Sequence, residues 1–194
     1  MRYYIVVSFI CFLQVNVFAY WQQEVKYDIN VELDDQKQEL RAEETIIYYN
    51  NSPDTLSEIY FHLWPNAYKS ANSPLGKQLL HQGETKFHYA NNEDFGYIDS
   101  LEFTSGEKPL KWSYVDKGEE IAVVFLGGVL LPGDTLVIST PFRVKLPKSG
   151  ISRLGHSEES YQITQWYPKP VVYDKSGWHP LNYLDQGEFY SEFG

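Results

Sequence analysis

His156-Ser157-Glu158-Glu159 sets one imidazole and two carboxylates almost side by side, a donor set that could in principle hold a metal ion. A hydrolytic zinc site asks for more than proximity: two ligands four apart on a helix, a third ligand further on, and one open position for water. No histidine lies four residues from His156, and its surroundings between Gly155 and Tyr161 read as a loop. His81 and His88 sit seven apart in a polar stretch, and His62 falls on the polar phase of an alternating segment, so these three read as solvated. Nucleophilic chemistry fares no better. Gly-x-Ser-x-Gly is absent and the only cysteine, Cys11, lies in the first twenty residues. No catalytic centre is encoded here.

A different chemistry is available at Tyr161-Gln162-Ile163-Thr164-Gln165-Trp166-Tyr167-Pro168. The Gln165 amide oxygen can accept a hydrogen bond, and Trp166 and Tyr167 offer ring faces to an apolar group or a cation. The alternative is that Gln165 serves only backbone groups beside a proline-rich loop, as buried amides commonly do.

These residues must be positioned by strands. Val25, Tyr27, Ile29, Val31 and Leu33 alternate with polar residues, the period of a half-buried strand. Asp34 to Gln38 forms a polar turn, and Leu40 to Tyr49 returns to make a hairpin. The apolar phase of that return strand slips between Leu40/Ala42 and Ile47/Tyr49, which predicts a bulge. After turn chemistry at Asn50 to Asp54, Leu56 to Trp64 predicts a third strand that Pro65 stops. Residues 66–96 read as a long surface excursion with one helical turn, Leu75 to His81. Tyr97 to Phe103, Leu110 to Tyr114, Ile121 to Leu126, Thr135 to Leu146 and Tyr161 to Tyr167 complete the strands, and Pro168, Pro170 and Pro180 bar a regular central strand beyond them. The expected fold is an all-β, mostly antiparallel sheet or sandwich with long loops and little helix.

Residues 1–19 carry one charge, Arg2, then an apolar run from Ile5 to Phe18, with Val17 and Ala19 as the small residues of a signal peptidase site. Cleavage after Ala19 is expected, since Gln14 and Asn16 interrupt the run and it falls short of the roughly 20 apolar residues of a membrane span. The mature chain, residues 20–194, is then secreted or periplasmic, spans no membrane and has no thiol, so its core must stabilise it without disulfides. Losing Arg2 moves the formal charge from −10 to −11, which argues against nucleic acid and anionic lipid as partners. Alternation resumes at Glu188 to Phe193 and stops at Gly194, so further sequence is expected to follow.

Tyr161 to Pro168, with Ile59-Tyr60-Phe61-His62-Leu63-Trp64-Pro65-Asn66 and Gly187-Glu188-Phe189-Tyr190-Ser191, resembles the N-terminal β domain of the aminopeptidase N family of zinc metallopeptidases, most of all its secreted bacterial members. The resemblance spans roughly Trp21 to Gly194 and implies a saddle-like β domain that precedes a thermolysin-like catalytic domain. It implies that zinc and its H-E-x-x-H ligands belong to that missing domain, with no cofactor in this chain. It also implies that the family's substrate-backbone strand, Gly-x-Met-x-Asn, lies downstream, because the only methionine here is Met1. By the resemblance, Gln165, Trp166 and Tyr167 stand at the cleft edge, where a glutamine and an acid receive a peptide's free amino end. Tyr167 occupies the acid's place, and a phenol with a pKa near about 10 stays neutral at pH 7. The competing reading is an independent secreted binding module. Its Trp166, Tyr167, Tyr173 and Trp178 would form an exposed platform for sugar or protein, which requires at least three of these rings together on the surface.

Overall fold

The computed structural model of the chain describes residues 21–115, 117–151, 153–185 and 190–191. The leader expected over residues 1–19 lies outside them, as does most of Gly187 to Phe193. In chain order the strands and helix are β1 (Glu24–Asp34), β2 (Glu39–Tyr49), β3 (Leu56–His62), α1 (Pro74–His81), β4 (Tyr97–Asp99), β5 (Thr104–Ser105), β6 (Lys108–Pro109), β7 (Lys111–Tyr114), β8 (Ile121–Leu130) and β9 (Thr135–Lys145). Five two-residue strands follow: β10 (Gly155–His156), β11 (Tyr161–Gln162), β12 (Lys169–Pro170), β13 (Tyr173–Asp174) and β14 (Gly177–Trp178). The chain is mostly β with antiparallel sheets and a single α-helix among the described residues, as the alternation predicts. No helix there is long and apolar enough to cross a membrane.

The larger sheet runs β1-β2-β9-β5-β6, with β4 also paired to β9; the smaller runs β12-β3-β8-β7. Both feed one apolar cluster, Ile46, Tyr48, Ile138 and Val144 from the first sheet and Ile59, Phe61, Ala122 and Val124 from the second. Aromatic side chains do much of the filling, as a core without disulfides requires: Phe61 lies 5.0 Å from Phe103, and Tyr68 donates its hydroxyl hydrogen to Tyr183 at 2.9 Å.

The bulge predicted in β2 does not exist. β2 pairs with β1 and with β9 over all eleven residues without a slip. The inward row is Leu40, Ala42, Glu44, Ile46 and Tyr48, and the phase looked broken because an acid occupies its middle position. The irregularity falls instead between β3 and β8, where Leu56 and Glu58 face Leu130 and Phe125. Gly127, at φ +67, takes the left-handed conformation there that a side chain disfavours.

Residues 66–96 are not a surface excursion. Ala67, Tyr68, Leu75, Leu79 and Phe87 are all buried in the main cluster. α1 begins where Ser73 accepts a hydrogen bond from the Gly76 N–H and Pro74 fits the first turn, so a predicted helical turn becomes a short helix with two leucines facing in.

Asn50 ends β2 and ties three parts of the chain together. Its amide donates to the carbonyls of Asp54 and Leu130 at 2.8 and 3.1 Å, while its Oδ1 accepts from Gln23 Nε2 and Ser52 Oγ at 3.2 and 2.6 Å. Its backbone N–H and C=O pair with Asp134 and Gly133 in the turn between β8 and β9. Because Asn50 is fully buried, truncation strands several polar groups without water. Asn50→Ala is expected to lower stability by about 3 kcal/mol, measured as a shift in the urea unfolding midpoint at unchanged m-value; a shift under about 1 kcal/mol would show that the network is not structural.

Candidate functional site

β10 and β11 form a small hairpin, Gly155 opposite Gln162 and His156 opposite Tyr161. The strand predicted over Tyr161 to Tyr167 stops there. Thr164 donates its hydroxyl to the Arg153 carbonyl at 2.8 Å, and Gln165 turns to φ +52, which breaks extended pairing. A glutamine rarely adopts that left-handed conformation, so the surrounding contacts must hold it. Those contacts come next in sequence. Trp166 rests 5.8 Å from Phe142 on β9, Tyr167 meets Tyr27 on β1 edge-on at 5.3 Å, and the two rings touch each other at 5.3 Å. The chain then enters β12, where Lys169 and Pro170 pair with His62 and Phe61 at the edge of the smaller sheet. A proline at a sheet edge costs no ladder bond.

The Gln165, Trp166 and Tyr167 side chains are each half-buried, and they lie in one continuous bend laid over the inner face of the larger sheet. The Gln165 amide oxygen is shielded from solvent and accepts no hydrogen bond from the described residues. The satisfied amide of the alternative reading therefore does not describe this oxygen. Trp166 and Tyr167 form one ring pair. Tyr173 and Trp178, 4.8 Å apart, form another that packs with Tyr60 and Trp21. All four rings are half-buried against the core.

Beneath this bend the sheet carries a carboxylic acid. Glu44 stands between Ile29 on β1 and Thr140 on β9, has no exposed surface, and neither of its carboxyl oxygens has a hydrogen-bond partner among the described residues. The Thr140 hydroxyl is committed to the Glu102 N–H and the Pro141 carbonyl. Burial pushes the Glu44 carboxyl up to about 9, against the pull of the nearby Lys169 ammonium, so it is protonated at pH 7. Lys169 is itself pushed down by burial and drawn back up by Glu44, and its ammonium lies over the Tyr167 ring, 4.8 Å from the centroid. Burial, with Glu44 adding to it, also raises Tyr167, so the ring stays a neutral phenol.

His62 is not solvated. It is fully buried, stacked on Trp64 at 4.4 Å, and its Nε2 meets the Tyr190 carbonyl at 3.2 Å. Burial lowers it to about 4, the Tyr190 bond opposes that shift and Lys169 adds to it, so the imidazole is neutral. His156 is lowered by burial and lies 6.4 Å from the Tyr161 ring. Among the described residues no three His, Asp or Glu side chains converge as metal ligands do.

Compared with models of known protein families and with curated proteins, the chain matches none.

Sequence reasoning singles out Gln165, Trp166 and Tyr167 as candidates and passes over Glu44 and Lys169. The signal for Glu44 was an acid at the centre of an otherwise apolar row; Lys169, between two prolines, gave none.

Two buried groups pull the pH dependence of stability in opposite directions. Glu44 is raised, so the folded chain holds a proton that the unfolded chain releases; that stabilisation is complete below about 4.5 and is lost as pH climbs through about 9. His62 is depressed, so stability is lost as pH falls from 6.5 toward about 4. Relative to Glu44→Gln, the stability of the unsubstituted chain is expected to fall between about pH 6 and 9, by up to about 1.4 kcal/mol per unit, in urea titrations across that range. Parallel curves for the two proteins would exclude a buried protonated Glu44.

Proposed function

We propose that this chain is the non-catalytic N-terminal β domain of a secreted zinc aminopeptidase-like metallopeptidase, in which Gln165, Trp166 and Tyr167 help receive the amino end of a peptide. One observation carries the reading: Gln165 is held in a disfavoured backbone conformation with a shielded amide oxygen that no group among the described residues satisfies. To meet a donor that arrives from outside, the half-buried Gln165 side chain turns this shielded oxygen toward solvent, which relieves an unsatisfied buried acceptor. The flanking rings of Trp166 and Tyr167 fit that role, since their faces attract a cationic amine. The antiparallel β architecture agrees with the resemblance of the sequence.

In this proposal the zinc and its ligands are supplied by the catalytic domain that follows in the same polypeptide, and this chain contributes shape and contacts alone. Tyr167 cannot supply a negative charge, so recognition rests on a neutral amide and aromatic faces. Their net contribution is modest, about 0.5–1.5 kcal/mol for the hydrogen bond.

Two measurements test the proposal. The purified chain is expected to leave aminoacyl substrates intact with or without added zinc; turnover that a chelator abolishes would place the catalytic site in this chain. In NMR titrations, a tripeptide with a free amino end is expected to shift the Gln165 side-chain amide and the Trp166 indole resonances, whereas its N-acetylated form leaves them in place. Gln165→Ala should weaken the response about threefold to tenfold, as loss of one hydrogen bond does. Equal responses to both peptides, or none to either, would rule out recognition of the amine.

A further inference from the structure

Among the described residues, β1 has a strand partner on one side only. A free edge invites pairing, and soluble proteins usually blunt it with prolines, bulges, short strands or charges turned inward. β1 has none of these; the one guard it carries is the charged outward row of Glu24, Lys26, Asp28, Glu32 and Asp34. It is eleven residues long, its pairing to β2 is regular throughout, and its inward row is apolar from Val25 to Leu33. That row is covered at one end and bare at the other: Val25 is 1% exposed, while Val31 and Leu33 are 44% and 41% exposed. The bare end is unpartnered apolar surface.

We propose that β1 pairs antiparallel with β1 of a second copy of this chain, about a two-fold axis through Ile29, so that the larger sheet runs on across the dimer. Residues opposite each other in an antiparallel pair point to the same face, so keeping both apolar rows on one side sets odd-numbered residues against odd. With Ile29 on the axis, Leu33 lies beside the partner's Val25 and Val31 beside the partner's Tyr27. The bare end of each strand thus meets the covered end of the other, where Tyr167 roofs Tyr27. A two-fold contact of this kind is self-complementary.

The outward row fits the same axis. Lys26 falls opposite the partner's Glu32, twice over, and Asp28 opposite the partner's Asn30. Glu24 faces the partner's Asp34, with Lys37 on Asp34 at 2.8 Å and Lys26 beside Glu24 at 3.3 Å, shared there with the partner's Glu32. Moving the axis to Asp28 sets that acid against itself and Glu24 against Glu32. Moving it to Asn30 sets Lys26 against Asp34, which Lys37 already holds, and Asp28 against Glu32, neither of which has a cation partner among the described residues. Of these three axes, Ile29 alone leaves no pair of facing acids without a cation beside it. One strand pair buries less than the roughly 1,200–2,000 Å² of a standard interface, so the dimer is a weak, concentration-dependent one.

The test is sedimentation velocity on the exported chain over a concentration series reaching several hundred micromolar. The unsubstituted protein is expected to shift from monomer to dimer. Lys26→Glu and Glu32→Lys each place like charges opposite one another and should raise the dimer dissociation constant about tenfold or more, while the double exchange K26E/E32K restores it. Both side chains are exposed, and unchanged circular dichroism melts confirm that the variants fold. In the chain from residue 20 onward, which has no thiol of its own, Ile29→Cys should cross-link on mild oxidation whereas Lys26→Cys should not. A monomer throughout the series, a dimer indifferent to either single exchange, or failure of the double exchange to rescue would each overturn the proposal, as would a β1 that captures only a foreign extended peptide.

Discussion

Three strands in unbroken register set which side chains this protein can hide. Because β1, β2 and β9 pair without a slip over their whole lengths, every second residue of each is driven to the same face, whatever its chemistry. Glu44 is caught by that rule. Turning it outward would move Leu40, Ala42, Ile46 and Tyr48 into water with it, so the sheet retains an acid in its apolar row. The burial of four neighbours, at about 25 cal/mol per Å² of apolar surface, outweighs the cost of one neutralised carboxyl. The proton on Glu44 descends from that geometric demand, while Lys169 is depressed and Tyr167 raised chiefly by their own burial, with Glu44 opposing the first shift and adding to the second.

The strands that were legible in the sequence were those with one wet face. β1 and β9 show clean alternation, and the Asn50 to Asp54 turn announces itself through residues that bond their own backbone. What alternation hid were the places where polarity and position part company. His62 sits on the phase that looks solvent-facing, yet β12 pairs beside it and the Tyr190 carbonyl meets its ring, a tertiary cover that no local pattern encodes. Residues 66–96 look hydrophilic on average, but a few apolar side chains at helical spacing, Leu75 and Leu79 among them, suffice to anchor them.

The candidate site was half legible. Gln165, Trp166 and Tyr167 stand out by type, and the structure gathers them into one bend; the ring pairings that fix this bend, to Phe142 and Tyr27, join residues far apart in sequence and leave no trace in it. The same holds for Glu44 and Lys169, whose meeting depends on how the two sheets stack. Side chains on one strand can be placed by counting, whereas side chains from different layers cannot.

The stretch from Trp166 to Pro170 touches both layers in five residues: one ring lies on Phe142 in the larger sheet, and the backbone is then stitched to β3 in the smaller one. It works as a clasp. Sliding one layer past the other would have to strip the indole from its seat or unpick the β12 ladder, so shear between the packed layers is opposed here. The Gln165 bend inherits that stiffness and keeps its shape without help from a ligand.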